Sequence, residues 1–387
     1  VVERKTGEYE RSTVAGEQVS AFIPYPLPPR NPPLNLDGEF APLLARAEEQ
    51  LRLLDLAGDL VPSVEWFVYA FVRKEAVLSA QIEGTQATLM DLLQVEASGK
   101  DPVDADVEEI CSYLSALNFA WEELVHVTGL PISIRLLSET HVRLMSGVRG
   151  SQKQPGEVRR SQNWIGGTRP GNAKFVPPPP LRLGGLLRDF EHAIHDEIDL
   201  PPLVRIGLLH VQFETLHPYL DGNGRLGRLL ITLLLRHWKL LSRPLLYLSL
   251  FLKTHRQEYY RRLSVVRTDG DWEGWLSFFL EGVAVVAEEA VVTARRLHAI
   301  VDRNRSRLVN REDATVMSIR LFEFLPEHPI LTVNRVVGLL ECSRPAAAKA
   351  LRVLEAAEVL HALDDRKKNR AVVFKDYLDI LREGTEL

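Results

Sequence analysis

Apolar residues recur at three- and four-residue spacing through 40–56, 64–82, 107–126, 133–145, 181–195 and 203–216. That is the period of one buried helical face, so the pattern predicts a mainly α-helical body from about residue 41 to residue 298. The run 226–238 is apolar almost throughout and reads as a helix buried on all sides. Strand signals are scarce in this body. The exception is 158–176, where Trp164-Ile165-Gly166-Gly167 and Pro170-Gly171-Asn172 read as a short β-hairpin punctuated by glycine. Ahead of the body, the prolines at 24, 26, 28, 29, 32 and 33 predict an extended arm, because each removes a donor and biases its predecessor away from helix. Beyond residue 311 the elements shorten. Helices are expected at 315–325, 332–341 and 344–355, with Ser343 as a cap before Pro345. Two alternating stretches come after them, 359–364 and 371–375, around Asp365-Arg366-Lys367-Lys368-Asn369. That order predicts a winged helix-turn-helix module.

Composition narrows the class. A chain of 387 residues can bury two or three cores, and 45% hydrophobic with 26% charged residues is the balance of a soluble globular protein. The net charge of −5 argues against a chain dominated by nucleic-acid binding, although local basic patches stay open. Cys111 and Cys342 are too far apart in sequence to suggest a disulfide framework or a zinc site, which makes a reducing cytoplasm the simplest compartment. No uncharged apolar run reaches about 18 residues, and no basic start leads into an apolar core, so neither membrane spanning nor export is expected. His192, His195, His210 and His255 lack metal-binding spacing and read as structural or surface residues.

The densest chemistry lies in His217-Pro218-Tyr219-Leu220-Asp221-Gly222-Asn223-Gly224-Arg225-Leu226-Gly227-Arg228. Gly222, Asn223 and Gly224 can bring successive backbone N–H groups against an anion, and the succeeding helix would aim its N-terminus at the same anion. Arg225 and Arg228 would add forked contacts to phosphate oxygens. Asp221 is a hard ligand for Mg2+, and the imidazole of His217, with an ordinary pKa near ~6.5, suits a general base at neutral pH. This string resembles the signature of the Fic family (filamentation induced by cyclic AMP), with Tyr219 in place of phenylalanine. The resemblance implies a helical core with a β-hairpin flap and transfer of AMP from ATP to protein hydroxyls. It places His217 as base, Asp221 on magnesium, and Gly222, Asn223, Gly224, Arg225 and Arg228 on the nucleotide. In the family's phosphate-transferring branch lysine stands where this chain has Gly224, so AMP transfer is favoured over phosphorylation.

Two further segments fit the same family. Ser79-Ala80-Gln81-Ile82-Glu83-Gly84 closes a helix and resembles the family's inhibitory motif, in which Glu83 would pair with Arg228 and obstruct the γ-phosphate. The hairpin 158–176 is similar to the flap that holds a target protein by strand addition, with Asn163, Trp164, Ile165 and Gly166 beside the nucleotide. Tyr259 and Tyr260 would border the adenine pocket. The implied organisation is an arm with the inhibitory helices over 1–100, a Fic core over 101–300 and a winged helix over 311–387. Removal of AMP, with Glu83 positioning water, is an alternative reaction. A nucleotide-sensing regulator is an alternative of another class, with Arg344, Lys349, Arg352 and 366–370 on DNA, although basic and acidic residues nearly balance after Arg311. Relatives often dimerise, so a homodimer is also expected.

Overall fold

The computed structural model of the protein describes residues 4–60, 64–147, 150–363 and 370–387. The chain opens with an antiparallel pair, β1 (Gly7–Val14) and β2 (Glu17–Pro24), joined by Ala15 and Gly16. Both joining residues have positive φ, the backbone that a two-residue hairpin turn requires. Sequence patterning does not single out this hairpin ahead of the proline-rich stretch, for the turn is Ala-Gly and its flanking strands alternate only loosely.

The helical body comes next, with α1 (Phe40–Leu60), α2 (Val64–Ile82), α3 (Leu89–Ser98), α4 (Ala105–Val125) and α5 (Ile134–Leu144). It continues through α6 (Pro180–His195), α7 (Pro202–Leu216), α8 (Asn223–His237), α9 (Ser249–Thr254), α10 (Arg256–Asp269) and α11 (Trp272–Val309). Periodicity does not single out α3. Its ends are nonetheless written locally: Thr88 and Asp91 form a capping box, and Gly99 closes the helix at φ 62°. The 38 residues of α11 make a strut about 57 Å long, against which α1, α7, α9 and α10 pack. None of the described helices is long and apolar enough to cross a membrane.

After α11 the order is α12 (Val316–Glu323), β3 (Ile330–Thr332), α13 (Val333–Leu340), α14 (Arg344–Ala356), β4 (His361–Ala362), β5 (Ala371–Val373) and α15 (Lys375–Leu381). The three strands form one antiparallel sheet in the order β3-β5-β4. Strand β3 and helix α15 add to the elements expected from sequence, and β4 and β5 are shorter than the alternating stretches suggest. Residues 364–369, with Arg366, Lys367, Lys368 and Asn369, lie outside the described part, while Arg370 pairs with Glu355 at 2.7 Å. Apolar packing is continuous from Phe40 to Leu381. A small second cluster, Val19, Ala21 and Val176, fastens the N-terminal hairpin to the segment 158–176. That segment holds one bridge, Ile165 with Phe175, instead of extended paired strands, and β2 adds to its base through Phe22 N–H on the Val176 carbonyl at 2.9 Å. The end of α2, the first turns of α4 and the α7–α8 connection meet around one polar cavity.

Candidate active site

Helix α7 ends on His217, whose backbone is left-handed at φ 46° and ψ 61°. A residue other than glycine is uncommon there, so neighbouring groups must hold it. Arg159 does so. It is 1% exposed, and its Nε donates to the His217 carbonyl at 2.9 Å while Nη2 donates to the Pro178 carbonyl at 2.6 Å. Its own N–H meets the Pro218 carbonyl at 2.9 Å. Burial lowers the guanidinium pKa to about 10, still charged at neutral pH. Lysine cannot serve these carbonyls as a planar fork. Arg159→Lys is therefore expected to lower the unfolding free energy by about 1.5–3 kcal/mol, read from urea denaturation. An unshifted midpoint at constant slope would show that Arg159 does not brace this turn.

The His217 imidazole faces the cavity with its Nδ1 buried and outside good hydrogen-bond geometry. Burial lowers its pKa to about 4, with Arg159 and Arg267 adding to the fall and the Glu214 carbonyl and Glu83 opposing it. This corrects the expectation of a base near ~6.5. The ring is neutral across the physiological range and ready to accept a proton, although it is a weaker base than an exposed histidine.

Beyond His217 the loop is tied by its own side chains. Asn223 Oδ1 accepts from Tyr219 N–H at 2.9 Å and its Nδ2 donates to the Tyr219 carbonyl at 2.8 Å. Asn163 donates to that same carbonyl at 3.2 Å. Both asparagine side chains thus brace the loop, while the backbone of Asn223 still lines the cavity. Tyr219 is 1% exposed, stacks on His141 at 4.0 Å between ring centroids, and shares a hydrogen bond of 3.0 Å with Ser138. The phenol that replaces phenylalanine therefore has its partner. His141 Nδ1 accepts from Gly156 N–H, so Nε2 carries the proton and donates to the Asp221 carbonyl at 2.9 Å. A Cβ on Gly222, at φ 73°, would strike Met145 Sδ at 2.7 Å, so only glycine fits this turn. Helix α8 then starts at Asn223 with no side-chain cap, leaving first-turn N–H groups for an anion.

Both signature arginines are already engaged. Arg228, 2% exposed, donates from Nε to Ser79 Oγ at 2.9 Å and from Nη2 to the Ser79 carbonyl at 2.9 Å and Glu83 Oε1 at 2.8 Å. Arg225 forms an ion pair with Glu109 of α4, a residue that no sequence motif marks. Burial pushes the Glu83 carboxyl up, but Arg228, Arg225 and His217 outweigh it and hold the pKa below the ordinary value. Glu83 remains an anion in contact with water, its side chain 36% exposed at the cavity mouth. The cavity is lined by Glu83, Thr85, Glu109, His217, Asp221 and residues 222–225, and its volume is about 280 Å3. That is just under the usual range for small-ligand pockets, about 300–1,000 Å3. Asp221 Oδ1 accepts from Gly222 N–H at 2.7 Å, and no cation pairs with its carboxylate among the described residues. One free carboxylate beside an anion cradle suits magnesium, which is held by one or two carboxylates with phosphates and water.

The two tyrosines differ in placement. Tyr259 is 1% exposed and its hydroxyl bonds His210 Nε2 at 2.8 Å, so it belongs to the core and is corrected from adenine contact. Tyr260, 43% exposed, stays accessible. In the flap, Trp164 is 37% exposed, Ile165 forms the single bridge and Gly166 has φ 67°. His210 is fully buried, while His192, His195 and His255 do not face the cavity.

A histidine at the foot of an uncapped helix N-terminus, with a carboxylate and Arg225 around the same cavity, is an arrangement in a helical protein whose chemistry suits a phosphate anion. Residues 41–122 match the Fic/DOC family N-terminal profile and residues 131–235 the Fic/DOC family profile. The chain is 32% identical over 158 residues to Protein adenylyltransferase Fic of Drosophila grimshawi, covering 40% of this chain and 29% of that protein. Against Protein adenylyltransferase Fic of Drosophila yakuba it is 29% identical over 247 residues, covering 60% of this chain and 46% of that one. The chain thus spans less than half the length of these curated relatives. Among solved structures it is similar to a Fic family protein from Desulfovibrio desulfuricans G20 (TM-score 0.56, 21% identity, covering 89% of this chain and 98% of that one). A C. elegans Fic-1 structure gives TM-score 0.51 at 22% identity, covering 66% and 71%. These structural likenesses are of fold.

Proposed function

We propose that this chain is a protein adenylyltransferase that moves AMP from ATP to a Ser, Thr or Tyr hydroxyl of a target protein and is held in check by Glu83. The observation that carries the reading is the placement of the His217 imidazole, the open N-terminus of α8 and Arg225 of the signature on one cavity. The relatives' printed name, adenylyltransferase, supports the same reaction. His217 accepts the target hydroxyl's proton as that oxygen bonds to the α-phosphorus. The bond from the α-phosphorus to the bridging oxygen breaks, and pyrophosphate leaves. Backbone N–H groups of α8 stabilise charge developing on the phosphoryl oxygens. Asp221 would hold magnesium, which supplies charge neutralisation on the phosphates.

The target segment docks along 158–176, whose single bridge leaves backbone groups open to an extended peptide. The three-stranded C-terminal module is read as a winged helix, with Arg344, Lys349 and Arg352 exposed on α14 for nucleic acid or protein. Two free cysteines support a cytoplasmic setting.

Intact-mass spectrometry of the chain, with lysate proteins, after incubation with ATP and magnesium tests the reaction. An added AMP on the chain or a partner supports it, and phosphate addition or loss of AMP from a premodified target would replace it. For the metal, Asp221→Asn is expected to weaken magnesium-dependent ATP binding by about tenfold, because an amide is a poorer ligand for a hard dication. Coincident magnesium titrations of variant and parent would remove Asp221 from that role.

A further inference from the structure

Glu83 sits in a larger polar assembly than its pair with Arg228. The residue after Gly84 is Thr85, 4% exposed, and its Oγ1 donates to Glu109 Oε2 at 3.1 Å. The opposite oxygen of Glu109 pairs with Arg225, and both partners of that ion pair are nearly sealed from solvent, with side chains 11% and 5% exposed. One residue further, Gln86 N–H donates to Asp106 Oδ2 at 2.8 Å, a second tie from the same stretch of chain to the start of α4. Arg228, Glu83, Gly84, Thr85, Glu109 and Arg225 therefore form one connected path. It runs from one signature arginine to the other across the cavity mouth.

We infer that Glu109 and Thr85 are positioning residues of this site: Thr85, bonded to Glu109, fixes the end of α2 so that Glu83 meets Arg228, and Glu109 withholds Arg225 from incoming phosphate. The inference rests on the inhibitory reading of Glu83. A carboxylate that lines the cavity and pairs with a guanidinium nitrogen competes with a phosphate for that nitrogen. Glu109 is placed to do this at Arg225, as Glu83 is at Arg228. The link through Thr85 makes the two releases dependent. Freeing Glu83 moves the chain that carries Thr85, and moving Thr85 removes a hydrogen bond from Glu109. In energetic terms the closed arrangement is stabilised by each contact, so deleting one shifts the population toward the open form even when Glu83 itself is intact. The buried hydroxyl-to-carboxylate bond is a small but definite part of that balance.

The test uses the full chain, with labelled AMP incorporation and equilibrium ATP–magnesium binding read on the same preparations. Thr85→Val is expected to raise incorporation about three- to tenfold, the shift expected from losing one hydrogen bond. Glu109→Gln should raise it further, with a lower KM for ATP. In a Glu83→Gly background most of the Thr85→Val gain should vanish, because Thr85 acts chiefly through Glu83. The Glu109→Gln variant should still tighten ATP there, because Arg225 is freed directly. A merely structural role would move melting temperature without this dependence on Glu83. Thr85→Val and Glu109→Gln at or below parent activity, while Glu83→Gly activates, would overturn the inference. If Glu109→Gln fails to fold, Thr85→Val with and without Glu83→Gly decides the case alone. A silent Glu83→Gly in folded protein fails differently: it rejects the inhibitory reading beneath the inference.

Discussion

His217→Ala, made in a Glu83→Gly background, is expected to lose AMP transfer by about 10²–10⁴-fold while ATP–magnesium affinity stays within about twofold. The separation comes from where the imidazole acts, on the target hydroxyl and not on the nucleotide. The low pKa adds a pH signature. With the ring near 4, kcat/KM of the Glu83→Gly protein should be flat from pH 8 to about 5.5, where an ordinary histidine would already be about nine-tenths protonated and inactive as a base. The sign is fixed by the neutral form being the active one: activity is kept above the folded-state pKa and lost as pH falls through it. Loss of Glu83, which supports the protonated ring, should move that fall further down. Undiminished labelling by the alanine variant would remove His217 from the chemistry, and a half-loss near pH 6.5 would contradict the buried environment.

Glu83→Gly alone is expected to raise AMP incorporation, including onto the chain itself, by about tenfold or more. The carboxylate takes the Nη2 position of Arg228 at 2.8 Å and lies against Gly224, at the spot where phosphate oxygens would have to enter. Its removal frees that nitrogen and enlarges the cavity, so the gain should appear mainly in turnover, through better alignment of the α-phosphorus. Adding Arg228→Ala should erase much of the gain, which separates released competition from loosening of α2. Equal or lower incorporation by folded Glu83→Gly protein would return 79–84 to an ordinary helix end.

The helices can be read from the chain wherever a single face is buried: α2 spans 64–82 as its periodicity predicts, and α7 starts one residue before the apolar run at 203. Helix α8 begins three residues ahead of its apolar run, because Asn223, Gly224 and Arg225 are helical without being apolar and so leave no mark in the hydrophobic period. The Glu83–Arg228 pair follows from the family resemblance and not from spacing, whereas the signature is legible in residue types and spacing. Whatever depends on distant segments is not. Arg159 reaches His217 across 58 positions, and Thr85 reaches Glu109 across 24. His141 stacks on Tyr219 from a helix of its own. No local pattern marks these residues, and the depressed pKa of His217 has the same origin, since desolvation is a property of the assembled loop.

Ser79 governs how Arg228 behaves once Glu83 withdraws. Two of the three bonds that hold Arg228 come from Ser79, one through its hydroxyl and one through its carbonyl. Neither depends on the departing carboxylate. The guanidinium would therefore not be released to sample rotamers, a freedom whose loss on meeting a ligand costs about 1.5–2 kcal/mol for a long side chain. It would stay aimed, with its entropy already spent during folding. On the proposed inhibitory role of Glu83, the serine would serve both states, as a clasp while the site is shut and as a mount for the arginine once it opens.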